Sequence, residues 1–368
     1  MPIKNRLGEL HAEITEWRRD IHANPEILFE THRTAAMVAE KLKEFGCDEI
    51  TTGIGRTGVV AVIKGRTDTK GKVIGLRADM DALPIYEATG VDYASNTPGA
   101  MHACGHDGHT AMLLGAAKYM AETRNFDGTV VLIFQPAEEG GGGGKEMCDD
   151  GMMDRWNIQE VYGMHNWPGL PVGNFAVRPG AMFAAADQFE IHVEGKGGHA
   201  AMPHKTVDTT LVAAQIVVAL QSIVSEAHNV IPQHVLLKGT VRTLSAEIRD
   251  LAEANLTRVA QSTAEAFGAT ATVDYHRGYP VLVNHDEPTE FAAEIAEKVT
   301  GVPAVTMPPT MGGEDFAYML EERPGSYVLI GNGDTAMVHH PEYNFDDEVI
   351  PFGSSWFAEL VETRMPIA

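Results

Sequence analysis

The chain has 368 residues, more than one hydrophobic core usually holds, so two domains are expected. Its 28 Lys and Arg residues against 51 Asp and Glu give a formal charge of -23, which repels polyanions and argues against binding to nucleic acid or an anionic membrane. Three widely spaced cysteines do not suggest a disulfide framework. Because we find no apolar signal core and no apolar run of membrane length, a cytoplasmic location is expected.

Helical and strand patterns alternate along the first part of the chain. Apolar residues from Leu7 to Ile21 recur at helical spacing, and a second helical pattern ends before Gly46. The later predicted elements are strands at 58–63, 73–76 and 129–134 and a helix at about 110–123. Strands that alternate with helices predict an α/β fold with a mixed, largely parallel sheet flanked by helices.

The second part of the chain has a different order of elements. Strands are predicted at 188–194, 234–242 and 270–275, and helices at about 206–227 and 246–267. This β-α-β-β-α-β-like order indicates a small inserted α+β domain, after which the first pattern resumes with a helix at 291–299, a strand at 326–330 and a helix at 353–364. We therefore expect a discontinuous first domain of residues 1–183 and 290–368, and an inserted domain of residues 184–289.

The segment from Met101 to Thr110 holds a thiol, three imidazoles and a carboxylate within ten residues. A single glycine separates Cys104 from His106, which lets both side chains face one metal ion. Thiolate and imidazole both suit zinc-like ions. Taken alone, the pair also fits a small buried cysteine beside a structural histidine.

Glu138 and Glu139 follow a run that reads as a buried strand, and sites in open α/β sheets form at that end of the strands. Adjacent carboxylates there can divide into a metal ligand and a general base. A solvated acidic turn is the alternative. The glycines at 140–144 do not match a phosphate-binding loop, so we exclude nucleotide binding and expect a close backbone approach to a ligand or a tight turn.

Single histidines end two further segments. His165 closes a strand-like run, and His339 and His340 precede an acidic stretch near the C-terminus. Either position alone would more often be a hydrogen-bonded structural residue. Four separate clusters of ligand-type residues would occur together by chance much less often than any one of them would occur alone.

Two aspartates and one further histidine complete the candidates. Asp79 and Asp81 follow another buried strand and would orient metal-bound imidazoles, although an ordinary acidic loop fits their spacing equally well. His199 stands between glycine and alanine in the inserted domain, where it is either a surface residue or a donor to a developing oxyanion.

Together these motifs resemble the aminoacylase-type metallopeptidase family, in particular its branch of hippurate hydrolases, N-acyl-amino-acid amidohydrolases and auxin-conjugate hydrolases. The resemblance runs nearly from end to end. It is carried by Arg18-Arg19-Asp20-Ile21-His22-Ala23-Asn24-Pro25-Glu26, His102-Ala103-Cys104-Gly105-His106-Asp107-Gly108-His109, Phe134-Gln135-Pro136-Ala137-Glu138-Glu139, Gly163-Met164-His165, Gly197-Gly198-His199, Gly312-Gly313-Glu314-Asp315-Phe316 and the His339 segment.

The resemblance implies a zinc-peptidase-like catalytic domain with two divalent metal ions and an inserted ferredoxin-like lid domain through which the chain forms a homodimer or a higher homo-oligomer. Glu138 matches the general base. A set of thiolate, imidazole and carboxylate ligands suits manganese, zinc, nickel or cobalt. The residues that match the metal ligands are Cys104, which would bridge, with His106, Glu139, His165 and His339.

Three positions of the inserted domain match substrate contacts in the same family. His199 matches a lid histidine that reaches the neighbouring subunit's site and binds the oxyanion, while Asn229 and Arg242 match positions suited to a substrate carboxylate. From the residues alone, Arg242 also reads as a surface residue at a strand end.

The chain departs from the wider family at two places. Asp79 stands where the wider family has a histidine ligand, so Cys104 with His106 must supply the metal instead, as in the hippurate-hydrolase branch. His340 directly follows His339, so the last ligand is one of these two residues, and His339 is the favoured choice.

The expected function is metal-dependent hydrolysis of the amide bond of N-acyl amino acids, with metal-activated water and Glu138 as general base. A dipeptidase or carboxypeptidase differs only in the acyl side of its substrate and remains open. A Cys104 nucleophile with His106 as base is disfavoured because both residues belong to one small loop. A catalytically silent binding protein is disfavoured because Glu138 and every ligand candidate are present.

Overall fold

Fifteen strands and eleven helices are found in the computed structural model, which describes residues 4–199, 205–220, 230–231 and 233–367. The strands are β1 (Glu49–Ile54), β2 (Gly58–Lys64), β3 (Val73–Asp79), β4 (Thr129–Gln135), β5 (Glu160–Trp167), β6 (Phe175–Val177), β7 (Gly180–Phe183), β8 (Ala185–Glu194), β9 (Gly198–His199), β10 (Val230–Ile231), β11 (His234–Thr243), β12 (Thr270–Arg277), β13 (Leu282–Asn284), β14 (Val305–Thr306) and β15 (Gly325–Gly331).

Eleven α-helices lie before, between and after these strands in the described part of the chain. They are α1 (Asn5–Glu9), α2 (His11–Ala23), α3 (His32–Phe45), α4 (His106–Thr123), α5 (Gly143–Asp149), α6 (Met152–Arg155), α7 (Thr209–Leu220), α8 (Ala246–Ala266), α9 (Asp286–Thr300), α10 (Phe316–Glu322) and α11 (Ile350–Arg364). None of the helices in the described part of the chain has both the length and the apolar character that are needed to cross a membrane.

The chain divides into two compact units. Unit 1 comprises Met1–Met182, Leu282–Pro308 and Glu314–Ala368, and unit 2 comprises Phe183–Val281 and Pro309–Gly313. These bounds lie near the predicted domain bounds, and the predicted end of the inserted domain at residue 289 falls inside α9. The roles assigned to the two domains stay predictions.

Unit 1 is built on an eight-stranded sheet with the order β1-β2-β4-β3-β5-β15-β6-β14. The four central neighbours β4, β3, β5 and β15 run parallel to one another, whereas β1, β2 and β4 pair antiparallel at one side. The predicted α/β fold with a mixed, largely parallel sheet is therefore confirmed. Parallel central strands matter for the site because their carboxyl ends meet at a single edge.

The central strands are buried on both faces. Val130, Leu132 and Phe134 of β4 belong to a core cluster with residues of α4, α9 and α11. Val131 and Ile133 are equally buried and point to the opposite face, because successive side chains of a strand alternate. Such strands read as continuous apolar runs in sequence, which is why they were recognised without an alternating pattern.

Several element boundaries differ from the prediction. α4 begins at His106, not near residue 110, because its first turn is polar and the apolar periodicity starts one turn later. The apolar series from Leu7 forms two helices that part at Leu10, and the edge strand β1 was not predicted because it lacks a buried face. Of the helix predicted at 206–227, the structure describes α7, and residues 221–229 lie outside the described part.

Unit 2 contains an antiparallel sheet with β8 between β11 and β12. Its own apolar core joins Ile191 and Val193 of β8 to Val212 and Ile216 of α7 and to Leu256 of α8. The short strands β9 and β10 pair separately.

Candidate metal centre

The predicted ligand segments of unit 1 all lie beyond the carboxyl ends of the central parallel strands. Asp79 ends β3, Glu138 and Glu139 follow β4, and His165 is near the end of β5. His339 lies in the segment that leaves β15. Cys104 and His106 stand at the start of α4, in the connection that leaves β3. The topology therefore brings residues that are far apart in sequence to one edge of the sheet.

Cys104, His106 and His165 form a first buried cluster, in which one possible ligand atom from each residue lies within 4.8 Å of the others. Cys104 Sγ is 3.3 Å from His165 Nε2. His165 Nδ1 lies 2.6 Å from the carbonyl oxygen of Asn166, to which it can donate its proton. That hydrogen bond leaves Nε2 as the nitrogen with a lone pair directed toward the thiol.

Cys104, Glu139 and His339 form a second cluster by the same distance criterion. His339 Nε2 is 3.3 Å from Glu139 Oε1, and the histidine side chain is 52% exposed. The backbone of His339 has a left-handed φ of 66°, and its N–H donates to the Ala103 carbonyl at 2.7 Å. Cys104 belongs to both clusters, so its sulfur would be available to a metal ion held by either one.

The neighbouring His340 has a different environment. Its Nδ1 accepts a hydrogen bond from the Glu342 backbone N–H at 3.1 Å, and it belongs to none of the ligand clusters among the described residues. The geometry thus favours His339 over His340 as the residue that faces Cys104 and Glu139.

The donor atoms of the two clusters suit a divalent cation. Both ring nitrogens of His106 and Oε1 of Glu139 are buried and make no well-aligned hydrogen bond with the described residues, although Asp81 lies 3.4 Å from His106 and His339 lies 3.3 Å from Glu139. Burial favours a neutral imidazole, but the carboxylates of Asp79, Asp81 and Glu139 outweigh it and raise the pKa of His106 to about 10. Positive charge is therefore strongly favoured at this point, and the sulfur, nitrogen and oxygen donors fit a transition-metal ion.

Asp81 binds the turn that carries the two glutamates. The backbone N–H groups of Glu138 and Glu139 donate to its two carboxylate oxygens, at 3.0 and 3.1 Å. Asp81 Oδ1 is also 3.4 Å from His106 Nδ1. Ala137, directly before the pair, has a left-handed φ of 54°, which directs the following residues out of line with β4. One oxygen of each glutamate also lies within 4.8 Å of the other and of a His106 nitrogen, and the division of the pair into a ligand and a base stays a prediction.

Glu138 is buried among other acidic groups. Its carboxylate forms a cluster with those of Glu314 and Asp315. Burial, followed by the charges of Glu314, Glu139 and Asp315, raises the pKa of Glu138 well above its ordinary value. The side chain is therefore a strong proton acceptor when it is ionised.

Arg77 supplies the positive charge that the acidic cluster needs. It is fully buried in β3, and its guanidinium donates to Asp79 at 2.7 Å, Glu314 at 3.0 Å and Asp315 at 3.1 Å. The sequence analysis did not identify this role. An arginine inside an otherwise apolar strand was the available signal, because a buried cation requires a buried partner.

His109 is a structural partner of the site. Its Nδ1 lies 2.7 Å from Asp79 Oδ1, and its Nε2 accepts the backbone N–H of Asn166 at 2.9 Å. Both nitrogens are thereby used. Burial opposes the charge on Asp79, yet His106 and Arg77 lower the pKa of that carboxyl well below its ordinary value. Asp79 thus contacts His109 and lies 3.7 Å from His106 Nε2, and its role in orienting metal-bound imidazoles stays a prediction.

The glycine tract packs tightly against the turn that carries the glutamates. A Cβ on Gly143 would lie 1.7 Å from the Pro136 carbonyl oxygen, and the N–H of Gly144 donates to Asp315 at 2.7 Å. Of the two sequence interpretations, the structure favours close packing of a tight turn that leads into α5.

The candidates of unit 2 are described less completely. The backbone of His199 pairs with Val230 in the β9–β10 ladder, and Asn229 lies outside the described residues. Arg242 of β11 is exposed. Its Nη1 would be 3.1 Å from a Cβ on Gly313, the residue directly before Glu314.

The chain is similar to known proteins over nearly its whole length. Residues 75–363 match the model of peptidase family M20/M25/M40. The chain is 40% identical to a hippurate hydrolase of Campylobacter jejuni subsp. jejuni over 96% of both proteins. It is 38% identical to an N-acetylcysteine deacetylase of Bacillus subtilis, over 95% of this chain and 96% of the relative.

A solved structure is similar over nearly its whole length. It is a Bacillus subtilis protein described as a dinuclear metal binding peptidase from the M20 family. The two chains share 36% sequence identity with a TM-score of 0.86, and the match covers 97% of this chain and 98% of the other. The fold and the branch that the sequence motifs indicated are therefore both supported by independent comparisons.

Proposed function

The chain belongs to peptidase family M20/M25/M40, and from that premise we propose that it hydrolyses the amide bond of N-acyl amino acids, releasing a carboxylic acid and a free amino acid. The observation that carries the proposal is the position of Cys104 in two ligand clusters beside the buried carboxylate of Glu138. Hippurate and N-acetylcysteine, which appear in the names of two relatives, are both N-acyl amino acids and differ mainly in the acyl group and the side chain.

Two divalent metal ions would be held by the two clusters. One would bind to Cys104, His106 and His165, and the other to Cys104, Glu139 and His339. Manganese, zinc, nickel and cobalt all suit these donors. Such ions lower the pKa of water and polarise a carbonyl oxygen.

Glu138 would act as the general base and then as the general acid. It accepts a proton from the attacking water and passes that proton to the nitrogen of the leaving amino acid. Its burial and its acidic neighbours support this role, since a carboxyl with a raised pKa retains the proton until the C–N bond breaks. Arg77 limits the rise in the pKa of Glu138, because its positive charge balances the charges of Glu314 and Asp315.

The residues of unit 2 would recognise the rest of the substrate. Arg242 and Asn229 would bind the carboxylate of the amino acid, and His199 of a partner subunit would donate to the oxyanion. The exposure of Arg242 supports its availability for a carboxylate. A homodimer or higher homo-oligomer and a cytoplasmic location remain parts of this proposal.

Amine release from a panel of N-acyl amino acids and dipeptides would test the reaction. Metal-stripped protein is assayed with and without added manganese, zinc, nickel or cobalt. We expect metal-dependent release from hippurate or N-acetyl amino acids. Cleavage of dipeptides alone would favour the second candidate, a dipeptidase or carboxypeptidase, and the similar Bacillus subtilis protein is described as a peptidase. An absence of turnover with every metal would contradict both and favour a binding protein.

Glu138→Gln tests the base. The amide keeps the size of the side chain but accepts no proton at neutral pH, so turnover should fall by roughly 10²–10⁴-fold, the usual contribution of a positioned general base. Metal content, measured by elemental analysis of the purified variant, should stay at the wild-type level. A variant with near wild-type turnover and unchanged metal content would remove Glu138 from this role.

A further inference from the structure

Asn166 connects several parts of the candidate metal centre. It is fully buried near the end of β5. Its side-chain Nδ2 donates to the Cys104 carbonyl at 2.6 Å, and its Oδ1 accepts the Tyr343 hydroxyl at 2.7 Å. Its backbone N–H donates to His109 Nε2 at 2.9 Å. A carboxamide suits this position because it donates from one atom and accepts at the other.

The same residue also orients His165. The Asn166 carbonyl oxygen lies 2.6 Å from His165 Nδ1, which leaves Nε2 directed toward Cys104 Sγ. Cys104 belongs to the connection before α4, whereas His165 belongs to β5. Asn166 therefore contacts two proposed ligand residues, Cys104 through its side chain and His165 through its backbone. These two ligand residues belong to segments that are far apart in the sequence.

The loop between the ligands packs directly onto this connection. A Cβ on Gly105 would lie 2.2 Å from Asn166 Nδ2 and 2.5 Å from the Tyr343 hydroxyl oxygen. Gly105 also has a left-handed φ of 88°. The residue between Cys104 and His106 must therefore be small, and the amide occupies the space that a side chain there would need.

We propose that Asn166 is a positioning residue of the metal centre, whose side chain acts by fixing the Cys104 backbone. The contact with the His165 ring is made by the Asn166 backbone carbonyl and is kept when the side chain is changed. Tyr343 holds the amide in the orientation that the contact with Cys104 requires. The inference rests on the proposed function, because it concerns the same metal site. Hydrogen bonds that orient metal ligands in this way typically change metal affinity by about 10–100-fold when they are removed.

Cobalt titration of the metal-free protein would test this inference. Cobalt bound to a cysteine thiolate gives a charge-transfer absorption that reports the metal–sulfur bond directly, so the readout does not depend on turnover. The variants are Asn166→Leu, which has a similar size but no polar atoms, Tyr343→Phe, and the two combined. Tyr162→Phe is the matched control, because that buried hydroxyl donates to Glu160 at the opposite end of β5.

Asn166→Leu should weaken cobalt binding by about 10–100-fold and alter the charge-transfer band. Tyr343→Phe should produce a smaller loss in the same direction, and it should add nothing further in the Asn166→Leu background, since its effect passes through the amide. Tyr162→Phe should bind cobalt as the wild type does. The melting temperature of each metal-free variant distinguishes loss of the metal site from loss of the fold. If Asn166→Leu does not fold, the comparison of Tyr343→Phe with the wild type still tests the inference.

Different results would contradict different statements. A folded Asn166→Leu or Tyr343→Phe variant with wild-type cobalt affinity and an unchanged band would overturn the positioning role while leaving the proposed metal site intact. Two other results would overturn the metal site itself and with it the proposed function. One is that the wild-type protein binds no cobalt, and the other is that the charge-transfer band persists in the Cys104→Ser variant.

Discussion

The turn between Cys104 and His106 requires a residue without a side chain. Gly105 and Gly46 have similar left-handed φ values of 88° and 80°, but their surroundings differ. A Cβ on Gly105 would overlap Asn166, whereas a Cβ on Gly46 would meet nothing within 4 Å. Alanine substitutions at these two glycines therefore distinguish the free-energy cost of backbone strain from the cost of steric overlap.

Gly46→Ala should lower the free energy of unfolding by about 1–2 kcal/mol, the cost of the left-handed conformation for an L-residue. Gly105→Ala should lower it by about 2–5 kcal/mol, because overpacking is added to the same strain. Urea unfolding of both metal-free variants measures the difference. Equal losses would show that the contact with Asn166 is readily relieved.

His339 and His340 differ in what they face, which predicts different metal stoichiometries. His339→Ala removes the exposed member of the second cluster and should abolish or strongly weaken binding of one of two metal equivalents. The first cluster of Cys104, His106 and His165 keeps all its members and should still bind one ion. His340→Ala is the matched control and should bind both, as measured by calorimetric titration of metal-free protein. The reverse pattern would assign the last ligand to His340.

At the scale of elements, α2 fixes the start of α4 through buried charged groups. Arg18 Nη1 donates to Asp107 at 3.2 Å, and His22 Nδ1 is 2.8 Å from the same carboxylate. His22 Nε2 is 3.2 Å from Glu87. Asp107 directly follows His106, so the N-terminal motif that carried part of the family resemblance supports the helix turn on which a proposed ligand stands.

His22 makes this support dependent on pH. Burial favours its neutral form, but Asp107 and Glu87 outweigh it and raise the pKa from 6.5 to about 9. The folded state therefore holds the proton more tightly than the unfolded state does. The stabilising contribution is complete below pH 6.5 and is lost as the pH rises through about 9, at about 1.4 kcal/mol per pH unit within that window.

His22→Gln should consequently be less stable than the wild type at pH 6, and the difference should narrow as the pH approaches 9.5. Urea unfolding at a series of pH values measures the free energy of both proteins. The exposed His32→Gln on α3 serves as control and should follow the wild-type curve. A difference between His22→Gln and wild type that is constant with pH would contradict the raised pKa.

At the scale of the whole molecule, each proposed active site is formed by residues of two subunits. In a symmetric dimer, Glu138 of one subunit would work with His199 of its partner. Mixing the inactive variants Glu138→Gln and His199→Ala after subunit exchange should then restore about a quarter of the wild-type activity, because half of the dimers are hybrids with one intact site. Activity that stays absent in hybrids shown to form would place both residues in the same subunit's site.

Sequence patterns within single elements determine the central strands and the edge of the sheet at which the site forms. Continuous apolar runs identified the central strands, because strands buried on both faces need no polar positions. Ligand-type residues after those runs indicated a site, because the carboxyl ends of parallel strands meet at one edge. Cys104, His106, Glu138, Glu139 and His165 are brought together there in the structure.

Only the tertiary structure decided how that site is supported. Arg77 reaches Glu314 and Asp315 across more than two hundred residues of sequence, and Asn166 reaches Cys104 across more than sixty. Local patterns record which face of an element is apolar, whereas single hydrogen bonds between distant segments leave no periodic trace. The choice between His339 and His340 is of the same kind, because adjacent residues share one sequence context and differ only in the direction that the backbone gives each side chain.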